Sequence, residues 1–186
     1  MSFVREPVDH FIDKMAQRKL PSPAAGSSLA LSFAMACALI ELTLADLAEK
    51  EMISAPLNPK EDLKRVRKWR EEGKKLIDDD INAVELMIRK EEQVSSSTLL
   101  MPVWRLHQLA EKLGELLIQY LGVNNEKISD TLVAMLHVRT VFLGTIHILG
   151  FNCFQMGVER PFSKEWSFPL VKWDQCIHHT FQQLDL

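Results

Sequence analysis

The sequence predicts an all-α fold, a single-domain bundle of helices over residues 1–186. Three observations point there. Apolar residues recur three and four apart over most of the chain; the seven glycines and eight prolines stand mostly at segment ends; and nothing resembles an alternation of strands and helices. At 186 residues the chain is long enough to bury a real core.

A first helix is expected over about 8–19, in the charged stretch VDHFIDKMAQRK. The second, over 26–52, follows LPSPAAGSS, whose prolines end whatever precedes them. Ser27 or Ser28 is placed to cap it by accepting from the first free amides. The same small residues suit an anion site at the positive end of the helix, but local chemistry favours the cap, because such caps are common in helices that bind nothing. Small and large residues alternate from Leu29 to Leu39, a strand signal, but the segment is long and Ala-rich. At helical spacing Ala30, Ala34, Ala38, Ala45 and Ala48 fall near one side, a smooth face expected at a helix–helix contact. With the apolar central helix described below, that face offers more packing surface than one bundle of this length covers, which predicts a homodimer with closed two-fold symmetry.

The third helix, over 59–92, changes character along its length. KEDLKRVRKWREEGKKL is mostly charged, with Leu63, Val66, Trp69 and Leu76 as apolar anchors, and IDDDINAVELMI is more apolar. Its lysines and arginines interleave with Glu61, Asp62, Glu71 and Glu72, the pattern of a solvated face rather than an anion track. QVSSSTLLMP reads as a loop that ends with Pro102 in the first turn of a fourth helix over 101–121. There Leu106, Leu109, Leu113, Leu116, Leu117 and Tyr120 repeat at helical spacing, and Gly122 reads as the stop. A fifth helix over 128–157 opens with capping chemistry at Ser129 and Asp130 and turns almost wholly apolar, as a central helix would. Arg139, His147 and Asn152 within it need partners if buried. The last helix, over 170–184, docks on the bundle through aromatics that bracket Pro169: Trp166, Phe168 and Trp173.

Several function classes are excluded. With 22 basic against 25 acidic residues, no basic face for nucleic acid is expected. Cys37, Cys153 and Cys176 form no CxxC pair and read as reduced thiols of a cytoplasmic protein, not a disulfide or a zinc site. The N-terminus lacks the apolar run of a secretory leader, and Ser32, Glu41 and Asp46 interrupt the best membrane-span candidate. No membrane association is expected. The six histidines show no HExxH, so no metal is expected, and no GxSxG, P-loop or dinucleotide fingerprint occurs.

Chemistry concentrates in the triplet Asp78, Asp79 and Asp80, because successive helical positions are about 100° apart and three neighbours cannot share one face. The apolar pattern Leu76, Ile77, Ile81, Val84 and Met87 places Asp80 closest to the packed side. A carboxylate there has a raised pKa and suits general acid–base work.

Leu-Pro-x-Pro before small residues and Gly-Ser, a long Ala-rich helix, Ile-Asp-Asp-Asp-x-x-Ala, a Pro-led helix, Asn-x-x-x-Ser-Asp, and a long helix with Gly144 and Asn152 stand here in one order. In that order and spacing, from about Val8 to Met156, the chain resembles the formimidoyltetrahydrofolate cyclodeaminase and methenyltetrahydrofolate cyclohydrolase family. The resemblance implies an all-helical dimer acting in one-carbon folate metabolism, as an ammonia lyase or a cyclohydrolase, with a tetrahydrofolate derivative as substrate and no metal. Residue by residue, it implies that Asp80 and Asp130 carry acid–base chemistry. Pro23, Ala24, Ala25, Gly26 and Ser27, together with Ser129 and Asn152, would bind substrate.

Departures from the family pattern fall around the same site. Ala24 and Ala25 place two methyl groups where glycine permits close ligand approach or a positive φ. Phe33 fills a small position, Leu44-Ala45-Asp46 stands where the family has Asn-Leu-Thr, and Ile148 replaces an asparagine. The rival reading is a catalytically altered or non-catalytic helical dimer that binds another small anion or a protein partner.

Overall fold

The computed structural model describes residues 2–17, 22–50, 56–89, 95–123, 125–159 and 167–183. Its described helices are α1 (Val8–Ala16), α2 (Ala25–Glu49), α3 (Pro59–Ile88), α4 (Ser96–Tyr120), α5 (Ile128–Met156) and α6 (Ser167–Gln183), with short 3₁₀ turns at Phe3–Arg5 and Asn125–Lys127. No strand occurs among the described residues, and the fold is all-α. The predicted helix ends at 18–19, 51–52, 90–92 and 184, and Trp166, lie outside the described residues.

Three helix starts differ from expectation, α6 beginning at Ser167 rather than 170 and the other two at α4 and α2. Asn58 caps α3 by accepting from the Glu61 N–H at 3.2 Å, with Pro59 in the first turn, as the sequence suggests. By contrast α4 begins at Ser96, a turn and a half before Pro102. Ser95 caps it by accepting from the Thr98 N–H at 3.3 Å, so a cap within SSST outranks the proline as a start signal. The cap of α2 is Ala24, not Ser27 or Ser28. Ser27 sits three residues on and reaches back, accepting from the Ala24 N–H at 2.7 Å. Gly122 and Gly157 end α4 and α5 with φ of 76° and 64°.

Contacts along the helices fix an antiparallel order. Phe33 of α2 packs on Gly73 of α3; Glu72 of α3 pairs with Arg105 of α4; His107 of α4 meets Thr145 of α5; Thr43 of α2 meets Thr131 of α5. α2, α3, α4 and α5 therefore form an up-down-up-down four-helix bundle. α6 closes one side through buried Trp173, whose ring meets Phe142 edge-on at 5.0 Å and lies over Gly114. His107 stacks between Trp104 and Phe142, and burial pulls its imidazole down to about 4, so it is neutral at pH 7.

α2 and α5 are each long and apolar enough to cross a membrane. The polar residues that interrupt α2 have partners in the bundle. Ser32 meets His137 Nδ1 at 2.7 Å, Glu41 pairs with Arg70 and Arg67, and Asp46 pairs with Lys50. Of the Ala face, Ala30 and Ala34 are buried inside the bundle while Ala38 is exposed, so the expected helix–helix contact lies within the chain.

The end of the bundle opposite the start of α2 carries a buried polar lock. Tyr120 donates its hydroxyl to buried Asp62 at 2.5 Å, and Arg65 bonds the other carboxylate oxygen. Burial, then Asp62, holds the phenol well above its ordinary range. Tyr120→Phe leaves a buried carboxylate oxygen without its donor, so a loss of about 1–3 kcal/mol is expected in denaturant unfolding.

Candidate functional site

α2 begins late. Gly26, its second residue, lies against Asp80 of α3, and Leu29 lies against Gly144 of α5. Yet α3 runs on to Ile88 and α5 to Met156. About eight residues of each neighbour therefore overhang the start of α2, roughly 12 Å at 1.5 Å per residue. Under the overhang is a cavity of about 500 Å³. Val84 and Met87 of α3, Leu99 of α4, and Phe151 and Met156 of α5 form its apolar wall; Asp80, Asn152 and Gln155 are its polar groups.

The acidic triplet resolves onto three faces. Asp78 accepts from the Phe3 N–H and from the Ser2 hydroxyl, both at 2.7 Å, and so ties the N-terminal segment to α3. Asp79 lines an outer groove between α3 and α4 beside Glu72, Lys75 and Arg105. Asp80 alone of the three lines the cavity. Its carboxyl is half-buried, and burial pushes its pKa up to about 6, against the opposing pull of the Ser27 N–H and hydroxyl. The first turn of α2 thus seats this carboxylate against Gly26 at the positive end of a helix.

Gly26 is required by that contact. A Cβ there would sit 2.1 Å from Asp80 Oδ1. Ala24 and Ala25 carry no such demand: both are exposed, and Ala24 has φ −138°, extended backbone open to any residue. Pro23 and Ser27 are buried. Phe33 is fully buried two turns further on, its ring accommodated by Gly73, so its bulk falls in the helix contact and not in the cavity.

The structure brings Asp80 and Asn152 to one cavity, with Gly26 and Ser27 against the Asp80 carboxylate. It does not bring Ser129 and Asp130 there. They lie in the first turn of α5, 22 residues from Asn152 in the case of Asp130, or about 33 Å along the helix. Ser129 is exposed, and neither side chain caps the helix; Lys127 is the cap residue. Gln155 was not anticipated. Its signal is a second amide three residues after Asn152 on an apolar helix, the spacing that puts both on one face. Among the described residues no three His, Cys, Asp or Glu side chains cluster as a metal ion would need.

Residues 7–96 match the formiminotransferase-cyclodeaminase family model. Compared with curated protein sequences, the chain matches none significantly. Among solved structures it is similar to formiminotetrahydrofolate cyclodeaminase from Thermotoga maritima, at 20% identity and a TM-score of 0.71, covering 96% of this chain and 93% of that one. Over residues 7–96 the chain is thus similar in sequence to the formiminotransferase-cyclodeaminase family, and over nearly its whole length it shares the helical fold of the Thermotoga maritima protein.

Proposed function

We propose that the protein acts on a tetrahydrofolate derivative, as a formimidoyltetrahydrofolate cyclodeaminase or a methenyltetrahydrofolate cyclohydrolase. The observation that carries this reading is Asp80, a carboxylate held by a helix N-terminus at the wall of a cavity that also contains Asn152 and Gln155. In cyclodeamination the substrate's N10 attacks the carbon of the protonated formimidoyl group, a C–N bond forms, and the bond from that carbon to the terminal nitrogen breaks as it leaves as ammonia. One proton must pass from N10 to that leaving nitrogen. Asp80 accepts it as carboxylate and returns it as carboxylic acid, which a pKa near 6 suits. In the hydrolytic direction the same group takes a proton from the water that attacks the methenyl carbon. Asn152 and Gln155 orient the ring system, and Ser27 and Gly26 position Asp80. Ser129 and Asp130 play no part in the cavity of a single chain. No metal enters this scheme. Absorbance of methenyltetrahydrofolate, followed as it forms or decays, tests the reading.

We also propose a homodimer, but through a different face from the small-residue one. Met35 and Leu42 of α2 are 47% and 51% exposed, and Val133 and Leu136 of the adjacent α5 are each 43% exposed. Side by side on neighbouring helices, they form an apolar strip of the kind a second copy covers. Light scattering at micromolar concentration is expected to give a dimer, and Met35→Glu with Leu42→Glu a folded monomer. A monomeric parent protein overturns the proposal. The free thiols, with Cys37 and Cys153 buried, accord with a cytoplasmic setting.

A further inference from the structure

We propose that the outer groove between α3 and α4 is a binding site for a zwitterion, an α-amino acid with an apolar side chain, whose carboxylate meets Lys75 and whose ammonium meets Asp79. The groove encloses about 430 Å³ and shares no lining residue with the cavity that holds Asp80. That volume lies within the range of small-molecule sites, about 300–1,000 Å³. The folate reading uses none of these residues, and the site stands independently of it.

The first argument is which charges are already committed. Along α3, Glu61, Asp62, Glu71 and Glu85 each pair with a base three or four residues on. Asp78 is taken by Ser2 and Phe3, and Glu72 receives Arg105 of α4 on both carboxylate oxygens. Lys75 and Asp79 stand at the same helical spacing and both line the groove, yet neither forms an ion pair among the described residues. Base before acid is the weaker order along a helix, so closure of this pair competes little with a ligand. Side chains four residues apart have their Cβ atoms about 6 Å from each other. A molecule with both charges on neighbouring carbons spans that gap and makes a charge-assisted bond at each end.

The second argument is the division of the walls. α3 supplies every charge but that of Arg105, whereas Met101 and Pro102 of α4 face them without any. Met101 is 54% exposed, an apolar side chain without cover at the edge of the groove. Leu86, 14 residues beyond Glu72, adds apolar surface at the end away from the Glu72–Arg105 pair. An apolar side chain carried on the carbon between the two charges therefore lies against α4 while the charges meet α3. Simple ions fit less well. An anion on Lys75 has Asp79 and Glu72 beside it, and a cation on Asp79 has Lys75, so each meets a like charge that a zwitterion turns into a partner.

L-Leucine is the probe, with 4-methylpentanoate, which lacks its ammonium, 3-methylbutylamine, which lacks its carboxylate, and glycine, which lacks its side chain. Each is titrated into the full chain at pH 7.5 and read by calorimetry. Leucine is expected to bind at least tenfold more tightly than any of the other three, the scale of one bond to a charged group. Lys75→Met should lower leucine affinity to that of 3-methylbutylamine, and Asp79→Asn to that of 4-methylpentanoate. Met101→Ser should weaken leucine several-fold. Melting curves establish that each variant is folded. Asp80→Asn, which alters only the other cavity, should leave leucine affinity within twofold. No binding of leucine at millimolar concentration, equal binding of either singly charged analogue, or leucine affinity unchanged in both Lys75→Met and Asp79→Asn overturns the inference. A loss confined to Asp80→Asn moves the ligand to the other cavity and overturns it as well.

Discussion

Asp80→Asn is expected to lower kcat/KM for formimidoyl- or methenyltetrahydrofolate by at least about 10²-fold, the usual scale for losing a positioned acid–base group, while making the protein more stable at pH 7.5. The second half follows from linkage. The folded-state pKa is raised to about 6 from an ordinary value of about 4. The folded chain therefore holds this proton to higher pH than the unfolded chain does. The associated stability is fully present below about pH 4 and is lost as pH rises through 6. At pH 7.5 the parent bears the cost of a desolvated charge that asparagine does not. Allowing for partial solvation and the helix N-terminus, about 1–2 kcal/mol is recovered, or roughly 2–6 °C in melting temperature. On the proposed reading, kcat/KM of the parent protein should fall as pH drops below 6. A variant that keeps parental turnover, or an Asp130→Asn variant that alone loses it, removes Asp80 from the assignment.

Gly26→Ala should be nearly as damaging to turnover, by an opposite route. Alanine favours a helix over glycine by about 1 kcal/mol, so propensity alone predicts a stabler α2. The new methyl, however, would stand 2.1 Å from Asp80 Oδ1 and 2.6 Å from its Cγ. The carboxylate must leave Ser27 or α3 must shift away from α2. Overpacking of this kind costs about 1–3 kcal/mol, and displacement of the acid–base group should cut kcat/KM at least tenfold. Ala25→Gly, one position earlier and exposed, is the control and should leave turnover within twofold. Parental activity in Gly26→Ala would mean that the seat over Gly26 does not set the position of Asp80.

Much of this was legible in the residues. Leu76, Ile77, Ile81 and Val84 mark the inward face of α3, and Asp80 borders it, so periodicity alone picks the member of the triplet that lines the cavity. Helix existence was legible for the same reason. Starts were less so, because a start is decided by competition between signals: Ser95 prevails over Pro102 for α4, and Ala24, with no capping side chain, takes the cap of α2 because Ser27 supplies the bond from inside the helix. What the sequence does not carry is which ends meet. Ser129, Asp130 and Asn152 share one helix and one family pattern, but α5 runs antiparallel to α2, so its first turn lies at the far end from Asp80. The size of Phe33 was likewise unreadable without Gly73, its partner across the α2–α3 contact.

The late start of α2 also limits how the cavity can change. Its depth is the length of helix withheld from the bundle, and helix is added or removed in steps of 1.5 Å with a rotation of about 100° at each step. Lengthening α2 by one residue would swing Ser27 and Gly26 away from Asp80 before it altered the volume much, and a full turn would remove about 5.4 Å of depth at once. Depth and the seating of Asp80 are therefore geared together. Adjustment to ligands of slightly different size falls instead to the unbranched side chains of Met87 and Met156, which re-pack without moving the backbone that holds the carboxylate.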